Sequence, residues 1–208
     1  MKHKSPVLLA ALTLLAIASP ANAIAAGLNE LSVSVGIRSN YRMQPLQDGF
    51  NTWQNQSGEA YNRENIKDAG AYFLSFLRPM TPKFSLGITT GIEQESGTFS
   101  DEGAQHSGTY RKRNLTVAME ARYCYYEREK LRMYASAGLG FHAFMQATEF
   151  RVIQNGFTYA IESNEQLGGG PAYHINAFGA RYGGKAGVFL EAGYGYKGML
   201  NGGLSVRF

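Results

Sequence analysis

Cysteine is nearly absent from this chain. Cys124 stands alone among 208 residues, so no internal disulfide framework can staple the fold. Long apolar runs are missing too: beyond residue 23 no stretch approaches the roughly 20 residues that a membrane helix requires. Charge of either sign is scarce. The formal net charge is +4, and setting aside Lys2 and Lys4 near the start leaves +2, too mild a surplus to argue for nucleic acid. Three of the four histidines, His106, His142 and His174, lie far apart with no metal-ligand spacing, so neither a metal nor a cofactor is expected.

What is abundant is glycine and aromatic side chain: 25 Gly, 13 Tyr and 12 Phe, a mixture suited to curved strands and interfacial aromatic girdles. The mean hydropathy of −0.25 looks soluble, but a membrane-spanning β-barrel has the same average because its oily and wet faces alternate. The N-terminus has its own pattern. Met1-Lys-His-Lys-Ser5 is basic, Val7 to Ile17 is apolar, and Ala21-Asn-Ala23 is a small-x-small cleavage site. This predicts a secretory signal peptide over 1–23, with a later cut at 26 offered by Ile24-Ala-Ala26, and a mature domain over 24–208.

Period-two alternation then recurs along the chain. Leu31, Val33, Val35 and Ile37 alternate with Ser32, Ser34, Gly36 and Arg38 as a first strand. Residues 69–77 form a second, with faces that do not separate cleanly. Pro79-Met-Thr-Pro82 makes a tight break. The third strand sets Phe84, Leu86, Ile88, Thr90 and Ile92 against Ser85, Gly87, Thr89, Gly91 and Glu93. The fourth sets Leu115, Val117, Met119, Ala121, Tyr123 and Tyr125 outward, with Thr116, Ala118, Glu120, Arg122 and Cys124 inward. The fifth puts Met133 to Phe141 outward in alternation, with Tyr134, Ser136 and His142 inward. The sixth covers roughly 172–182; its faces cannot be assigned, because His174 and Arg181 have opposite parity. In the seventh, Val188, Leu190, Ala192 and Tyr194 point outward and Glu191 inward. Between these strands, 39–68, 97–109 and 146–170 lack periodicity and read as long loops, alternating with short turns; Asn155-Gly156 predicts a small hairpin within the last loop.

The last strand carries Leu200, Leu204, Val206 and Phe208 on one face and Asn201, Gly203, Ser205 and Arg207 on the other. It resembles the closing strand of the small bacterial outer-membrane β-barrel family, in which a terminal Phe commonly ends the last strand. The resemblance implies an all-β fold: a closed antiparallel transmembrane β-barrel, an up-and-down meander of eight strands. It also implies a location in the bacterial outer membrane and a monomer surrounded by outer-membrane lipid. The barrel assembly machinery would read Leu204, Val206 and Phe208 as its signal. Loops 39–68, 97–109 and 146–170 would be extracellular, carrying a structural role or recognition of an extracellular ligand or host surface.

Several patterns invite chemistry. Gly179 to Ala186 nearly matches the phosphate loop G-x-x-x-x-G-K-[ST], but Ala186 replaces the hydroxyl residue and a strand, not a helix, follows, so a glycine-rich turn is the better reading. Ser136 and His142 share a face but lie six positions apart, roughly 20 Å along a strand and too far for proton transfer. No catalytic residue is therefore assigned and the protein reads as non-enzymatic. Glu120 and Arg122, with Glu191, Glu93 and Arg38, read as a polar network filling the lumen, since eight strands leave an interior just wide enough for side chains. Tyr41, Phe50, Trp53, Tyr61 and Phe157 serve either as adhesive loop anchors or as packing and girdle residues. The rival readings are a barrel enzyme acting on lipid or peptide, a small channel, and a soluble ligand-binding barrel with its faces reversed.

Overall fold

The computed structural model describes residues 28–37, 39, 52–54, 60–100, 106–154 and 157–208. The expected signal peptide, Arg38 and the side chains of Tyr41, Phe50, Trp53, Tyr61 and Phe157 lie outside what is described. Among the described residues there are nine strands and no helix: β1 (Glu30–Ile37), β2 (Thr52–Gln54), β3 (Ala60–Pro79), β4 (Phe84–Ser100), β5 (His106–Arg128), β6 (Leu131–Gln154), β7 (Phe157–Gly183), β8 (Ala186–Gly195) and β9 (Leu200–Arg207). Except for β2, a short ribbon on β3, each strand pairs antiparallel with its chain neighbours, and β1 pairs with both β9 and β3. The result is a closed eight-stranded meander barrel.

Closure brings stagger. Following hydrogen-bonded partners from Val33 one way gives Leu74, Thr90, Val117, Phe141 and Pro171; the other way gives Leu204, Val188 and Tyr182. The two routes reach β7 eleven residues apart, at Pro171 and Tyr182, so the strands are tilted, by about 35–45° for a barrel of this kind.

The exterior is apolar over a continuous band. Across 31–37, 72–76, 84–92, 115–125, 131–141, 173–182, 186–194 and 200–206, no outward side chain is charged, and apart from tyrosine only Thr90 is polar. On β5 this band runs from Leu115 to Tyr125, bounded by exposed Arg111 and Arg113 on one side and Arg128, Glu129 and Lys130 on the other. Ten residue steps cover about 34 Å of strand, or roughly 25 Å of height after tilt. Leu204, Val206 and Phe208 are exposed on the outer face as the alternation requires, which reverses what a soluble ligand-binding barrel would show.

Two expectations need correction. Of the expected loops, 97–109 and 146–170 are mainly strand among their described residues, and 39–68 holds strand at 52–54 and 60–68, its residues 40–51 and 55–59 lying outside the described ones. β3 begins at Ala60, β4 and β5 pair as far as Ser100 and Ser107, and β6 and β7 as far as Gln154 and Phe157. The expected small hairpin is the tip of one long hairpin, whose Asn155 and Gly156 lie outside the described residues. Beyond the apolar band the outward face carries charge, as at Arg111 and Arg113, and the inward face buries residues of both kinds, such as Phe99, Tyr110 and Thr148, so the oily-out, polar-in alternation fades while the hydrogen-bond ladder continues. These extensions form a wall with side-chain order of its own: Tyr110 donates to Glu95 at 2.7 Å, and Lys112 Nζ stands 5.2 Å above the Phe144 ring.

The second correction concerns the strand whose faces could not be assigned. Asn176 pairs with Gly193 but Phe178 with Ala192, and on the other side Asn176 pairs with Ser136 but Gly179 with Tyr134. One residue, Ala177, is extra: a β-bulge that leaves Ala177 and Phe178 both outward and switches the inward parity from even to odd. His174 and Arg181 therefore both face the lumen, at 2 % and 1 % exposure.

Deleting Ala177 restores regular alternation with Asn176, Gly179 and Arg181 still inward, so that variant should fold with only a small loss of stability. Deleting Ala137 from the regular part of β6 turns one side of that strand inside out and should abolish folding. Heat-modifiable gel migration and circular dichroism of both variants check this.

Candidate functional site

The lumen is layered. Towards the long hairpins Ala71, Phe73, Ala118, Ala172 and Tyr196 form an apolar cluster among buried polar residues such as Thr116 and Glu93, with the Phe73 and His174 rings 5.9 and 5.3 Å from that of Tyr196. Tyr196 and Lys197 belong to the β8–β9 turn, which folds into the barrel instead of out of it. Gly198 supplies the turn's positive φ of 92°, and two glycines make space beneath it. A Cβ at Gly138 would sit 2.3 Å from the Tyr196 hydroxyl, and one at Gly36 would sit 2.0 Å from the Lys197 carbonyl oxygen.

Below this cluster lies a charged network centred on Arg122. Its Nη1 donates to Glu30 at 2.7 Å, and its Nη2 lies 3.3 Å from Glu191 and 3.5 Å from Glu120. The guanidinium carbon stands 4.1 Å from the centroid of the Tyr134 ring, whose hydroxyl donates to Glu191 at 2.9 Å. Lys197 reaches down from the turn to Glu120 at 2.5 Å and Glu191 at 3.6 Å. The Thr89 hydroxyl, 2.7 Å from Glu120, and the Asn201 amide, 2.7 Å from Glu191, fill further acceptor positions. Arg181 Nε stands 3.7 Å from Glu30. Three carboxylates thus face three cations, all buried.

Of the predicted network residues, the structure joins Glu120, Arg122 and Glu191. Glu93 is buried and inward, but nearer the hairpin end: it pairs across to Ala71 and Asn114 and holds the Ser39 hydroxyl at 2.7 and 2.9 Å. Arg38 lies outside the described residues. Sequence reasoning missed Glu30, Lys197 and Arg181. Glu30 has the parity of Ser32 and Ser34 and was within reach of the pattern. Lys197 was hidden by its place in a turn, and Arg181 by the bulge.

The remaining candidates separate. Gly183, Gly184 and Lys185 form the β7–β8 turn, and their carbonyls accept from Arg181 at 3.0, 3.0 and 3.3 Å. The near phosphate loop is thus a turn that presents carbonyls to a guanidinium. Ser136 and His142 share the inward face of β6 but pair with Asn176 and Gly170 respectively. The side chain of His106 is outside what is described. Cys124 is inward and buried, as predicted, with its sulfur 3.3 Å from the Tyr126 carbonyl oxygen.

Arg122→Leu strands Glu30 and Glu191 in a closed interior and should cost about 3–5 kcal/mol. Lys197→Met leaves Glu120 with Arg122 and Thr89, so its cost should be smaller. Urea unfolding of the refolded variants in lipid vesicles measures both. No protein-family model matches the chain, and no curated protein does.

Proposed function

We propose that this is an integral outer-membrane β-barrel protein with a sealed lumen, serving a structural role or surface recognition through its long hairpins and not catalysis. The observation that carries this reading is the charge-free apolar exterior wrapped around an ion-paired interior. In water this arrangement would expose oil and bury charge. In a bilayer it satisfies both phases, and its height of roughly 25 Å suits a lipid-facing band. Closure suits the same setting, since lipid offers no partner for an open strand edge. Exposed Tyr123, Tyr125, Tyr182 and Phe208 lie towards the short-turn end of this band, and Tyr72, Phe141 and Tyr194 towards the other, as two interfacial girdles would.

On this reading the short turns face the periplasm and the wall of β3 to β7 stands above the outer surface, where an extracellular ligand or host surface would meet it. The outer face of β9, with Leu204, Val206 and Phe208, is what the assembly machinery would engage. A sealed lumen is favoured over a channel by the Tyr196 cluster and the balanced ion pairs below it.

The protein should fractionate with outer membranes and require detergent for extraction; recovery in the soluble periplasmic fraction would end the proposal. Leu204→Arg places a charge near mid-bilayer and should cost about 2–4 kcal/mol in vesicles. Purified protein in planar bilayers should give no large, stable single-channel currents, and such currents would overturn the sealed lumen.

A further inference from the structure

At the short-turn end of the barrel, below the Arg122 network, a cleft of about 250 Å³ opens to solvent. Its charges do not balance. Lys83, Arg132, Arg181 and Arg207 line it, and of its two acids Glu30 is already bonded to Arg122. Only Glu127 remains. It accepts from Nη2 of Arg132 at 3.0 Å, stands 2.7 Å from the Arg132 Nε, which makes no hydrogen bond, and lies 3.9 Å from Arg207. Arg132 and Arg181 are direct cross-strand partners on one face, a like-charge pairing that is destabilising by itself. Arg207 enters from β9 with its buried Nε making no hydrogen bond. The donors of Arg181 go to Ser205 and the turn carbonyls, so it brings charge more than free N–H groups. The side chains of Arg132 and Arg207 keep 20 % and 18 % exposure, and Glu127 keeps 46 %, so the cleft is reachable from solvent.

We propose that this cleft binds a small, multiply charged oxyanion, best matched by a phosphate group. The forks of Arg132 and Arg207 would hold it, with Arg181 and Lys83 adding charge. Guanidinium forks fit phosphate bidentately, and a dianion offsets a surplus that one carboxylate cannot. The group could arrive free in solution or on a lipid headgroup at the rim; the chemistry of the cleft is the same. The inference needs only the cleft and holds whether or not the membrane reading does.

The test is calorimetric titration of the full protein, folded in non-ionic detergent, with inorganic phosphate and separately with dihexanoyl phosphatidic acid, each against sodium chloride of matched ionic strength. Saturable binding of phosphate beyond the chloride control supports the site and a soluble source; binding of the lipid alone supports it with a headgroup as the source. The Arg132→Gln/Arg207→Gln double variant should bind at least about tenfold more weakly, since each charged hydrogen bond is worth about a decade or more. Glu127→Gln removes the competing carboxylate and should tighten binding, a gain that misfolding cannot mimic. Heats equal to chloride in both arms, or an unchanged affinity in the double variant, overturn the proposal. If the double variant fails the heat-modifiable migration check for folding, Glu127→Gln decides, and no tightening overturns it.

Discussion

Arg122 holds three carboxylates at once, from β1, β5 and β8. Much of the architecture follows from what that contact needs. A closed ring of eight strands with its oily residues outside must put its polar residues inside, and there is little room there beyond the side chains themselves. A charge so enclosed must find its partner among neighbouring side chains, because an unpaired buried ion costs several kcal/mol. Hence the match of Glu30, Glu120 and Glu191 with Arg122, Arg181 and Lys197. The same contact fixes register. A slip of one residue would carry Arg122 into the outer face and Met119 or Tyr123 into the lumen, and neither side could accept the exchange.

The turn between β8 and β9 completes the interior from above. Tyr196 closes an apolar cluster and Lys197 supplies a cation that no strand provides at that point. This divides the molecule by height. The banded part is set by packing and ion pairing, and the wall of long hairpins is left to face outward with contacts of its own, such as Tyr110 on Glu95.

Much of this was legible in the sequence, and where it was not the reasons are physical. Alternation located the inward and outward faces of β1, β4, β5, β6, β8 and β9 because one face of each is oily and the other is not. It failed on β3 because Phe73 and Leu77 line the lumen as Tyr72 and Leu74 line the exterior, so both faces are apolar. It failed on β7 at Ala177, whose extra place in the ladder no local composition marks. It stopped short along the hairpins, where the outward face carries charge, as at Arg111 and Arg113, while Phe99 and Tyr110 are buried inward. The network was found by its in-strand neighbours Glu120 and Arg122, but its closing cation comes from a turn that nothing in the residue pattern directs inward.

That inward turn has a consequence for anyone who would use this barrel to display foreign peptides. Four of its connections join strands at the hairpin end, and a grafted epitope would ordinarily be placed in a short, well-defined one such as that between β8 and β9. Here that choice fails: residues 196–198 are cork, not flag. Lys197 and Tyr196 are 2 % and 1 % exposed, hidden from antibody and protease alike. A graft there would pull the cork and leave Glu120 and Glu191 uncovered.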